Sequence, residues 1–193
     1  MNRLIIDRGD AVLVAIDFQE KLLPGVCGRD KLEEAMSRLI RGCRVLGVPV
    51  LVTQQYTRGL GATTEKIAKA LTEEIPGATS EACFSPIEKT TFSAMREPSF
   101  AKALTETGRR TVIITGAEAH ICVQQTAMDL IEAGYCVFGA MDCMSSRTLE
   151  NKELGQIRMT QSGVVVTSSE AVLFDMLVDS KDKNFKQISA IVK

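Results

Sequence analysis

The feature that most narrows the folds open to this chain is an alternation of short apolar runs with segments of helical period. Ala11–Ile16, Val48–Val52, Tyr135–Ala140 and Val164–Thr167 are runs of strand length, and Thr111–Thr115 is β-branched at every position. Strands without apolar–polar alternation must be buried on both faces, which is the situation of a parallel sheet covered by helices on each side. The intervening segments predict helices over Lys31–Leu46, Thr63–Leu71, Ser99–Thr107, Ile121–Ala133, Leu149–Gln161 and Glu170–Val178. Gly47, Gly108 and Gly134 follow three of them as stop signals. Pro76 to Pro98 reads as irregular, and Lys181 to Lys193 as one or two amphipathic turns. With 193 residues the chain suits one domain spanning 1–193. The expected class is α/β: an open, doubly wound, Rossmann-like sheet of five to six mainly parallel strands in three α/β/α layers.

Charge and composition then exclude several functions. Lys and Arg number 23 against 24 Asp and Glu, and no run of like charge builds a basic face. Nucleic acid and anionic membranes are therefore not expected partners. No apolar stretch approaches the roughly 20 residues of a spanning helix, and Met1–Asp10 lacks the apolar centre of a signal peptide. The expectation is a cytosolic protein with no membrane partner. Six cysteines without a C-x-x-C pair give no disulfide framework, and the single histidine, His120, rules out an intrachain site with two histidine ligands. No G-x-x-x-x-G-K-[ST] or G-x-G-x-x-G is present, so no nucleotide cofactor is implied.

Open α/β sheets bind ligands at the carboxyl ends of their strands, and two reactive side chains fall there. Asp17 directly follows Ala11–Ile16. Cys122 lies six positions after Gly116, the end of the β-branched run, and should open the next helix, where unpaired N–H groups favour a thiolate and depress its pKa. The bland alternatives are a turn cap for Asp17 and a buried inert thiol for Cys122. Lys89 stands in the irregular stretch, where a lysine is ordinarily a solvated surface charge. His120 is two positions from Cys122, and residues so spaced on a helix do not face each other.

Three segments together change the reading: Val14-Ala15-Ile16-Asp17-Phe18-Gln19, Lys89-Thr90-Thr91-Phe92-Ser93-Ala94, and Gly116-Ala117-Glu118-Ala119-His120-Ile121-Cys122-Val123. In order and spacing, with Asp142-Cys143-Met144-Ser145-Ser146-Arg147 further on, the chain resembles the isochorismatase-like cysteine hydrolases, which include nicotinamidases and carbamoyl-amide hydrolases. The resemblance implies a catalytic set of Asp17 as general base, Lys89 as charge support and Cys122 as nucleophile. It also implies a cis peptide between Ala117 and Glu118 that turns the Glu118 N–H toward that of Cys122, forming an oxyanion hole. A homo-oligomer is implied in the same way. A carboxylate beside a thiol opposes ionisation unless it takes the proton itself, which agrees with the base role.

The departures bear on the substrate. Where nicotinamidases of this superfamily begin a metal site with Asp-x-His, this chain has Gln55-Tyr56-Thr57, so no metal is expected and nicotinamide is disfavoured. Thr53-Gln54-Gln55-Tyr56 followed by Gly59-Leu60-Gly61 looks more like the isochorismatase domain-containing branch. Phe18, Gln55, Tyr56 and Phe92 are the candidate walls of the substrate pocket, with core packing as the alternative for the three rings. The expected activity is metal-independent hydrolysis of a small amide or related C–N substrate through a thioester. A vinyl ether hydrolase and a catalytically idle interaction protein of the same fold are the rivals.

Overall fold

The computed structural model describes residues 5–79 and 83–193. Six strands, β1 (Ala11–Ile16), β2 (Val50–Gln55), β3 (Ile87–Lys89), β4 (Thr111–Ala117), β5 (Cys136–Ser145) and β6 (Val165–Thr167), form one sheet in the order β3-β2-β1-β4-β5-β6. Every pairing in it is parallel. Among the described residues eight α-helices accompany them: α1 (Arg29–Val45), α2 (Thr57–Leu60), α3 (Glu65–Thr72), α4 (Pro98–Glu106), α5 (Gln124–Glu132), α6 (Leu149–Gln161), α7 (Ser169–Leu177) and α8 (Phe185–Val192).

The burial of β1 shows why its sequence has no polar alternation. Ala11, Leu13 and Ala15 pack with α1, α3, α7 and α8 on one face, while Val12, Val14 and Ile16 pack with α4, α5 and α6 on the other. Both cores are apolar, so each residue of the strand leaves water whichever way it points. Helix starts follow ordinary chemistry: Thr148 and Ser168 accept from Asn151 N and Ala171 N to cap α6 and α7, and Pro98 occupies the first turn of α4 behind the Glu97 cap. The sheet reverses its direction of growth between β1 and β4, so the crevice above the carboxyl ends of those two strands is the place where such folds bind ligands.

Among the strands, β3, β2 and β5 depart most from the sequence reading. The stretch Pro76–Pro98, read as irregular, contains β3, a strand of three residues at the sheet edge. Three residues cannot show a period, and the flanking Ser, Thr and Pro resemble a loop. The second strand begins and ends later than Val48–Val52, at Val50–Gln55. The fourth expected strand, Tyr135–Ala140, continues through Asp142 to Ser145, because an irregularity opposite Ile114 and Gly116 lets β5 rejoin β4 at Gly116–Met144 and Ala117–Ser145.

Candidate active site

Asp17 is the first residue after β1 and takes a left-handed backbone conformation, φ 56°. Its Oδ1 accepts from Thr53 Oγ1 at 2.7 Å and its Oδ2 from Lys89 Nζ at 2.7 Å. Thr53 reaches it because β2 runs parallel to β1 with Ile16 opposite Thr53. Lys89 ends β3, and Gln55 of β2 lies opposite it. The lysine also donates to Gln55 Oε1 at 2.7 Å and to the carbonyls of Thr91 and Phe92 at 3.3 and 3.2 Å. Both side chains of the Asp17–Lys89 ion pair are 0% exposed. A buried lysine with four oxygen partners is held in place, and the alternative of a solvated surface charge is overturned.

The third group comes from β4. Gly116 allows this strand to approach β1, since a Cβ there would lie 2.3 Å from the Ile16 carbonyl oxygen, and its φ of 137° suits glycine. The Ala117–Glu118 peptide that follows is cis. The next residues, Ala119–Val123, form a single π turn that leads into α5. Cys122 therefore sits inside a π turn and not at the first turn of a regular helix. Gly155 of α6 makes room for this turn, because a Cβ at that position would stand 2.9 Å from His120 Cα. The Cys122 carbonyl accepts from Thr126 Oγ1 at 2.7 Å, and Thr126 Oγ1 accepts in turn from Ala94 N at 2.9 Å, which ties the turn to the loop after Lys89.

Cys122 lies close enough to the Asp17–Lys89 pair for the carboxylate to raise the pKa of its thiol and the ammonium to lower it. One sequence expectation is corrected here. Burial first, and then the Asp17 carboxylate, push the Cys122 thiol up to about 12, and Lys89 offsets this only in part. A site with 6% exposure withdraws more from the thiolate by desolvation than an adjacent ammonium returns. The resting site is thus a neutral thiol beside a carboxylate–ammonium pair.

The remaining candidates divide. Phe18 has no exposed surface and packs in the core on the α1 side, so core packing replaces its reading as a pocket wall. Gln55 holds Lys89 through Oε1 and Thr90 O through Nε2, a positioning contact that its sequence context did not reveal. Tyr56 and Phe92 are 52% and 55% exposed on segments bonded to Lys89 through Tyr56 N and Phe92 O. Glu118 is buried and its Oε1 accepts from Arg147 Nε at 2.7 Å. His120 Nδ1 lies 3.0 Å from Ser146 Oγ. Thr53 and Thr126 were missed as positioning residues, since a threonine in a strand or on an apolar helix face carries no sequence signal of its own.

As for a metal, Gln55 is engaged with Lys89, Thr57 N donates to the Glu88 carboxylate, and among the described residues no three His, Cys, Asp or Glu side chains cluster. The six cysteines are free thiols. No helix among the described residues is long and apolar enough to cross a membrane.

Comparison with known proteins agrees with this architecture. The isochorismatase domain family matches residues 11–171. Isochorismatase domain-containing protein 1 of Danio rerio is 35% identical over 184 residues, 95% of this chain and 61% of that protein, so the chain spans about three fifths of that relative's length. The secreted isochorismatase effector Isc1 of Phytophthora sojae is 33% identical over 185 residues, 95% of this chain and 84% of that protein. Among solved structures, the MAR1 ribonuclease of Caenorhabditis elegans superposes with a TM-score of 0.86 at 31% identity, covering 97% of this chain and 92% of that one. YcaC of Escherichia coli, described as an octameric hydrolase of unknown specificity, shares the fold with a TM-score of 0.87 at 22% identity, over 99% of this chain and 90% of its own.

Proposed function

The chain belongs to the isochorismatase family, and from that premise we propose that it hydrolyses a small amide or related C–N substrate through a thioester on Cys122. The observation that carries this reading is the fully buried Asp17–Lys89 ion pair, close enough to the Cys122 thiol for both of its charges to act on it. A neutral thiol is a poor nucleophile, so the proton must leave as the bond to carbon forms. Asp17 takes it while Sγ attacks the carbonyl carbon, and the carbonyl π electrons move to oxygen. The resulting oxyanion is met by the N–H groups of Glu118 and Cys122, the pair that the family resemblance implies. Donors of this kind supply about 10²–10³-fold each in other enzymes.

Collapse of the tetrahedral intermediate breaks the C–N bond, and Asp17 returns the proton to the departing amine. Water then attacks the thioester with Asp17 again as base, releasing the acid and restoring the thiol. Throughout, Lys89 keeps a positive charge beside whichever of Asp17 and the sulfur is negative, and Thr53 and Gln55 fix the pair's orientation. Ala117 contributes backbone only, as the residue before the cis bond. Tyr56 and Phe92, exposed beside the lysine loop, are the walls that would meet the substrate's apolar part. Each step balances without a metal or cofactor.

A homo-oligomer belongs to the same reading. Leu149, Leu154 and Ile157 are large, exposed and all on α6, the helix that covers the nucleophile turn, and burial between subunits would remove them from water. Free thiols throughout suit a reducing compartment such as the cytosol. The name of the ribonuclease relative supplies a second reading, RNA cleavage, against which the net charge of -1 weighs.

The test is ammonia release by the purified protein from acetamide, benzamide, nicotinamide and N-carbamoylglycine, with single-stranded RNA as a parallel substrate. Release from at least one amide, absent in Cys122→Ala, supports the proposal. RNA cleavage without amide turnover overturns it, and full amide turnover by Cys122→Ala removes the thioester.

A further inference from the structure

β1 leaves the sheet before its neighbour does. It ends at Ile16, opposite Thr53, and the left-handed backbone at Asp17 turns the chain away, while β2 runs on to Gln55. The main-chain groups of Gln55 on that side are taken by a side chain instead. Gln19 Oε1 accepts from Gln55 N at 2.7 Å, and Gln19 Nε2 donates to the Gln55 carbonyl at 3.0 Å and to the Gly61 carbonyl at 2.7 Å. A carboxamide carries the donor and acceptor of a peptide group, so it continues the β1–β2 ladder past the turn. Gln19 has no exposed surface, and its own N–H donates to the Asp17 carbonyl at 2.9 Å. On its other side the end of β2 meets β3: Tyr56 N donates to the Lys89 carbonyl at 2.9 Å, and Gln55 Oε1 accepts from Lys89 Nζ at 2.7 Å.

We propose that Gln19 is a positioning residue of the site: by holding the main chain of Gln55 it sets the Gln55 carboxamide, which aims the Lys89 ammonium at Asp17. Of the four oxygens around Nζ, those of Asp17 and Gln55 are the close ones at 2.7 Å, while the Thr91 and Phe92 carbonyls stand at 3.3 and 3.2 Å. Gln55 is therefore the main counterweight to Asp17 in placing the cation. Loss of the Gln19 carboxamide leaves one N–H and two carbonyls without this partner, and the end of β2 must shift to satisfy them. The ammonium then moves relative to both the carboxylate and the thiol. Gln54, the next residue along β2, supplies a contrast. It is 6% exposed, and its carboxamide donates to Thr63 Oγ1 at 2.9 Å and accepts from Thr57 Oγ1 at 3.2 Å, bonds that tie it to the segment around α2. The inference deepens the amide-hydrolysis reading and rests on it for the acylation step alone.

The experiment compares Gln19→Met and Gln54→Met with wild type. One readout is the rate of Cys122 carbamidomethylation by iodoacetamide from neutral to alkaline pH, followed by peptide mass. The other is the rate of Cys122 acylation by p-nitrophenyl acetate. Methionine keeps the length of glutamine without its hydrogen bonds, so both variants should lose stability in chemical denaturation. Only Gln19→Met should move the Cys122 profile to higher pH, because the displaced cation no longer favours the thiolate, and only it should slow acylation, by about tenfold or more. Gln55→Met should act in the same way, and the Gln19→Met/Gln55→Met double variant should lose little beyond the larger single effect. Gln19→Asn, which keeps the amide on a shorter stem, should show the same change in smaller measure and decides the matter where Gln19→Met does not fold. A wild-type profile in the folded Gln19 variants, equal changes in Gln54→Met, or losses that multiply in the double variant would overturn the proposal. Absence of acylation in wild type would count against the hydrolase reading, while the alkylation profile still decides on Gln19.

Discussion

Replacing Lys89 with methionine tests the energetics of the site apart from its chemistry. Its Nζ and Asp17 Oδ2 are 2.7 Å apart with both side chains fully buried. The gross attraction at that distance is about 6 kcal/mol at an effective dielectric near 20, before the cost of removing both ions from water. Loss of the cation leaves a buried carboxylate whose remaining side-chain donor is Thr53, and removing one partner of a buried pair typically costs about 3–5 kcal/mol. For a domain of this size that is a melting temperature lowered by roughly 6–20 °C. Asp17→Asn in the Lys89→Met background should recover part of the loss, because the double variant no longer buries an unmatched charge. Chemical denaturation of wild type, both single variants and the double variant gives the coupling energy directly. A loss under about 1 kcal/mol for Lys89→Met, additive with Asp17→Asn, would show that the two groups do not form a buried ion pair, and the reasoning would fail.

Three further outcomes are expected. In the ligand-free protein, iodoacetamide at neutral pH should modify exposed Cys83 ahead of Cys122, and the Cys122 rate should rise about tenfold per pH unit without levelling off below pH 10, since burial holds its thiol up at about 12; a plateau near pH 7 would mean a resting thiolate. Gly116→Ala should lower stability by more than about 1–3 kcal/mol in the same denaturation assay, because the new methyl would stand 2.3 Å from the Ile16 oxygen and the backbone would be strained as well; unchanged stability would contradict the close β1–β4 approach. His120→Ala should retain most of the amide turnover, as the ring bonds Ser146 and is not among the groups acting on the thiol; a loss equal to that of Cys122→Ala would make His120 the base.

What the sequence made legible follows from where the information is local. β1 and β4 are announced by uninterrupted apolar and β-branched runs, and Asp17 by its place at the end of one of them. Lys89 could be singled out only through the motif around it, because its strand is three residues long and its burial depends on Asp17, 72 positions away. Phe18 shows the limit of reading a ring beside a reactive residue as a pocket wall: it follows Asp17 in sequence, yet it packs under α1. The extension of β5 was hidden by the polar Asp142, which bonds Ser169 across the chain. The thiol was misjudged for a related reason. A cysteine near a helix start suggests a lowered pKa, but here desolvation by burial, with the Asp17 carboxylate, outweighs the lysine.

A thioester on Cys122 formed with Asp17 as base is open to direct detection by rapid mixing with p-nitrophenyl acetate followed by intact-mass and peptide-mass analysis. The expected result is a burst of about one p-nitrophenol per chain, an acetyl group on the peptide containing Cys122, no burst in Cys122→Ala, and acylation slowed about 10²–10⁴-fold in Asp17→Asn. An acetyl group found on another residue, or a burst that persists in Cys122→Ala, would contradict it.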